Sequence, residues 1–79
     1  MQSIVELTAS ARLHAEAKGL LNALRSIVLD PCTARGDIIE LSTPSGSEAF
    51  IVHARRLRIA QDGSQQLVIE LDYPVHPRA

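Results

Sequence analysis

The chain has 79 residues, enough for one domain and no second core. Hydrophobic residues make up 46% and charged residues 22%, which excludes a disordered tract, and a net charge of −1 gives no bulk attraction to nucleic acid or anionic lipid. The single cysteine, Cys32, rules out an internal disulfide and suits a reducing, cytoplasmic compartment.

The first residues carry no basic region followed by an apolar one, so secretion is not expected. No apolar run approaches the ~20 residues that span a bilayer, and no membrane association is expected. Ser3 and Glu6 have capping-box spacing, yet a helix starting there would turn Ile4 and Leu7 away from the later apolar stripe and Glu6 onto it. A break near Thr8 is expected, with 4–7 as a short strand or a separately packed arm. The alternative is a longer helix with a second apolar face.

Residues 10–29 carry the helix pattern. Leu13, Ala17, Leu20, Leu21, Leu24, Ile27 and Val28 recur at three- and four-residue spacing and form one stripe. Thr8 or Ser10 caps the start, Arg12 and Glu16 sit one turn apart, and Pro31 forces the end by about Leu29. Gly19 costs about 1 kcal/mol relative to Ala inside a helix, which suggests a close packing contact. His14 is expected on the solvated side.

After a loop at 30–36, three strands follow at 37–43, 48–60 and 65–73, joined by turns at Thr43–Ser47 and Gln61–Gly63. Pro74 and Pro77 end the ladder and leave a tail, Val75 to Ala79. The middle strand slips phase. Phe50, Val52 and Ala54 are even and Leu57 and Ile59 odd, so one face holds them all only if a residue is bulged out. A bulge at Arg55–Arg56 opposite Val68 gives the pairs Leu57–Leu67, Ala54–Ile69, Val52–Leu71 and Phe50–Tyr73, with Leu41–Phe50 and Ile39–Val52 across the first turn. The expected architecture is α+β in one domain, 1–79: a helix at 10–29 on a three-stranded antiparallel meander, plus a short strand at 4–7 if the chain breaks at Thr8.

In that register Ile38, Ile51, His53, Arg56 and Val68 share the uncovered sheet face, apolar residues rimmed by charge. Only Phe50 and Tyr73 are aromatic, so the core is aliphatic, and chains of about 70–80 residues rarely gain more than a few kcal/mol from one core. Self-association through this patch or an open strand edge, most simply as a homodimer, is therefore the leading expectation, with another protein as the other partner class. The alternative is nucleic-acid binding through Arg55, Arg56 and Arg58, set against acidic neighbours Glu40, Glu70 and Asp72 and no exposed aromatic for base stacking.

The remaining signals point to no reaction. Arg35-Gly36-Asp37 matches an adhesion tripeptide but reads as a turn into a strand. Cys32 lies near Asp30, which disfavours a thiolate, and His14, His53 and His76 lack the spacing of zinc ligands, so neither metal nor cofactor is expected. Ser45-Gly46-Ser47 reads as a hairpin loop. No converging acid–base set stands out, and an enzyme would need a pocket between subunits lined by His53, Glu70 or Cys32.

Overall fold

The structure, a computed structural model, describes residues 2–73, with the side chain of Gln2 outside that description. The expected tail at Val75 to Ala79, with His76, lies outside the described residues. β1, Gln2–Leu7, ends at Thr8, whose extended backbone (φ −65°, ψ 166°) precedes α1, Ala9–Lys18. Thr8 Oγ1 accepts the Ala11 N–H at 3.2 Å and donates to Asp72 Oδ1 at 2.6 Å, so the cap also fastens the helix to the sheet. The break expected near Thr8 and the strand before it are both present.

The single helix expected over 10–29 is two helices, α1 and α2, the latter Leu21–Ser26. Gly19 separates them in the left-handed conformation (φ 70°, ψ 26°). Its N–H bonds Glu16 O at 3.2 Å and the Leu20 N–H bonds Ala15 O at 2.8 Å, a Schellman termination. Gly19 is not a close packing contact, because a Cβ there would meet nothing within 4 Å. Each helix consequently has its own phase. α1 buries Ala11 and Ala15, while Leu20 and Leu24 are buried around α2. Leu13, expected on the stripe, is 68% exposed, and Val28, beyond the end of α2, is 79% exposed.

The fold is α+β, with the helices on one face of a four-stranded mixed sheet. β2 (Ile38–Thr43), β3 (Gly46–Ile59) and β4 (Gln65–Asp72) form an antiparallel meander, and β1 runs parallel to β4, giving the order β1-β4-β3-β2. The core joins Ala11, Ala15, Leu20 and Leu24 to Phe50, Val52, Leu67, Ile69 and Leu71. The second turn forms as expected: Gly63 takes φ 86° and the Ala60 N–H bonds Ser64 O at 2.9 Å.

The register departs from expectation in two places. Across the first hairpin Ile39 pairs with Phe50 and Leu41 with Glu48, two residues from the expected pairing, because the turn is the two-residue one between Thr43 and Gly46. The slip in β3 occurs at His53, between Val52–Leu71 and Ala54–Glu70, not at Arg55–Arg56. A shift anywhere between Val52 and Leu57 keeps both on the core side, so alternation alone does not locate it. Placing it at His53 moves only Ala54 out of the inner row, at little apolar cost. Arg55 moves to the helix side, opposite Ile69, where its Nη2 donates to Pro31 O at 3.0 Å.

Candidate interaction surfaces

The sheet face away from the helices carries a row of charged side chains that are about half exposed. β1 and β3 flank β4, with Ile4 and Arg56 both level with Val68. From opposite sides of β4, Glu6 reaches Arg56 and Arg58, at 3.1 Å for each carboxylate oxygen. Val68, flanked in the ladder by Ile4 and Arg56, is fully buried. Val68 therefore adds nothing to the patch expected from Ile38, Ile51, His53, Arg56 and Val68. Ile38 remains 50% exposed and Ile51 is half-buried. The row continues with Arg56 to Glu70 at 3.9 Å, and the His53 ring lies 3.9 Å from Glu70 and 4.0 Å from Asp72. Ala54, not His53, is the ladder partner of Glu70, because the slip leaves His53 without a ladder partner in β4. Cys32 stays in the exposed loop after α2, next to the Pro31 carbonyl that Arg55 holds.

The three arginines of the middle strand do not share a face. Arg56 and Arg58 meet Glu6 on the outer side, and Arg55 points to the helix side. No continuous phosphate-binding row results. Arg35-Gly36-Asp37 likewise serves the loop. The Gly36 N–H bonds Val52 O at 2.9 Å, and the Asp37 carboxylate accepts the Ala34 N–H at 2.8 Å.

A cluster that the sequence reading missed surrounds His14. Its ring stacks on Tyr73 at 3.6 Å and 6°, meets Phe50 edge-on at 5.9 Å, and its Nε2 lies 2.6 Å from Glu48 Oε1. The expected solvated histidine is instead a half-buried one that joins α1 to β3 and to the residue after β4. With a helix start at Ala9 fixed, the inner positions Ala11 and Ala15 bracket His14, which is the signal that would have placed it. Chemically this is an oriented proton donor–acceptor pair.

Besides Leu13, Val28 and Ile38, exposed aliphatic side chains lie on the far half of the β3–β4 hairpin. Leu57 and Ile59 face the helix side, opposite Leu67 and Gln65, but are 50% and 60% exposed. That stretch of β3 pairs with β4 alone, because the β2 ladder ends at Ile38–Ile51 and the loop bonds only as far as Val52. The Ala60 N–H to Ser64 O bond sets the alternation that turns the backbone groups of Arg55, Leu57 and Ile59 to the unpaired edge.

Among the described residues no helix is long and apolar enough to cross a membrane, and no group of three His, Cys, Asp or Glu side chains is arranged to hold a metal ion. Comparisons with protein-family models, with curated proteins and with solved structures gave no match to this chain.

Proposed function

We propose that this protein is a small cytoplasmic interaction module that acts as a homodimer or as a subunit of an assembly, with no catalytic activity of its own. The observation that supports the reading is the far half of β3, an unpaired strand edge carrying two exposed aliphatic side chains. Two copies that pair antiparallel around Leu57 would continue one sheet into the next and cover Leu57 and Ile59 of both. Covering side chains already half-buried adds about 1 kcal/mol each, besides the ladder bonds. The single unpaired cysteine supports the compartment. Nucleic-acid binding through Arg55, Arg56 and Arg58 has less support, since Glu6 engages two of these and the third lies on the other face.

Light scattering across a concentration series tests the reading. A dimer is expected that Leu57→Lys or Ile59→Lys converts to a folded monomer, with unchanged circular dichroism. A protein that stays monomeric at high micromolar concentration refutes self-association. Dissociation by Ile38→Lys but not by the β3 variants would assign the contact to the outer face instead.

A further inference from the structure

The opposite edge of the sheet carries a different surface. β1 is the edge strand there, paired with β4 on one side only. The Thr8 N–H bonds Leu71 O at 3.0 Å, and in a parallel ladder alternate residues bond the same neighbour. Ser3, Val5 and Leu7 therefore turn their N–H and C=O groups outward, away from β4. Directly beside this edge, between β1 and the helices, lies a groove of about 270 Å³ lined by Val5, Glu6, Leu7, Arg12, Leu21 and Arg25.

The groove has an apolar floor and a cationic rim. Val5, Leu7 and Leu21 are partly buried and pack against the core. The Glu6 carboxylate is committed to Arg56 and Arg58 at 3.1 Å each, so it does not neutralise the groove. Arg12 holds Glu16 through Nε alone, at 3.3 Å, which leaves its two terminal nitrogens. Arg25 is exposed and makes no hydrogen bond or ion pair among the described residues. The outward backbone groups of β1, the unpaired Arg25 and the terminal nitrogens of Arg12 thus border one groove.

We propose that this edge docks an extended segment of another protein, which adds to β1 as a fifth strand and sets a carboxylate against Arg25 and Arg12. Strand addition supplies main-chain hydrogen bonds, and alternate side chains supply the selection. The segment that fits has an aliphatic and an acidic side chain two residues apart, since strand neighbours at that spacing share a face. The aliphatic group covers Val5, Leu7 and Leu21, and the carboxylate takes the bidentate geometry that guanidinium favours. The site lies across the sheet from Leu57 and Ile59, so it stands or falls separately from self-association.

The test uses fluorescence polarisation with a labelled octapeptide in which valine and glutamate alternate with threonine, and its counterpart with lysine in place of glutamate. The glutamate peptide is expected to bind at least about tenfold more tightly, and Arg12→Glu/Arg25→Glu to reverse that preference. Amide exchange should slow at Val5 and Leu7 when the peptide is bound. Failure of both peptides to bind at millimolar concentration overturns the proposal, as does equal binding of the two. Protection at β2 or β3 in place of β1 overturns it as well. If Arg25→Glu dissociates a dimer formed without peptide, the groove holds a second copy and the peptide assignment fails.

Discussion

Replacing Gly19 by alanine distinguishes one helix from two by the sign of the effect. In an unbroken helix over 10–29, Gly19→Ala would stabilise the protein by about 1 kcal/mol. At φ 70°, an L-residue sets its Cβ against its own carbonyl, at a cost of about 1–2 kcal/mol. The reduced entropy of the unfolded alanine chain offsets about 0.4–1 kcal/mol of that. Nothing lies within 4 Å of the added Cβ, so packing contributes neither way and the backbone decides. The net expectation is a loss of about 1 kcal/mol, which for a domain of this size lowers Tm by about 4–8 °C. Thermal and urea unfolding followed by circular dichroism, at one fixed protein concentration because self-association shifts apparent stability, measures it. D-alanine at the same position, introduced by chemical synthesis, should instead raise stability, since its Cβ suits positive φ. A Gly19→Ala protein that melts above the parent would refute the Schellman break and restore a continuous helix.

Two further outcomes follow from the side-chain geometry. A double-mutant cycle of His14→Ala and Glu48→Gln should show a coupling of about 1–2 kcal/mol, because the 2.6 Å contact is mostly shielded from water; independent, additive effects would mean that the pair does not form. The Ser64 hydroxyl and N–H bonds hold the Asp62 carboxylate below its usual pKa. Its contribution to stability is therefore present above the unfolded value and lost as pH falls through the lower folded one, in acid below about pH 4. An NMR titration should show an acidic midpoint that returns towards the ordinary aspartate value in Ser64→Ala; no movement would refute the assignment of cause.

The strands were legible because alternation is a direct imprint of sheet burial, and the turns because Pro44, Gly46 and Gly63 have few other uses. The bulge was legible as a necessity but not as a position, since Val52 and Leu57 are satisfied by a slip at any residue between them. The helix break was hidden by phase: Leu20, Leu21 and Leu24 extend the spacing begun by Leu13 and Ala17, although Gly19 resets it. Val68 illustrates what periodicity omits. It stands on the outward row yet is fully buried, in a ladder where Glu6 and Arg56, 50 residues apart in sequence, are joined on either side of β4. Only the parallel docking of β1 beside β4 brings those two within reach, and nothing local in the sequence announces that pairing.

The position of β4 between β1 and β3 has a consequence for biosynthesis. Residues 2–7 are synthesised before every other described element, but their hydrogen-bonding neighbour is 65–72, and the Thr8–Asp72 clasp closes a span of 64 residues. Until then the leading strand has nothing to lie against, and both helices lack the floor they cover. Closure of such a long loop comes late and slows assembly, so the apolar side chains of β1 and the helices stay unprotected until 65–72 is available. Chaperone capture of the folding chain should accordingly persist through formation of the β2–β3 hairpin and end once β4 joins the sheet.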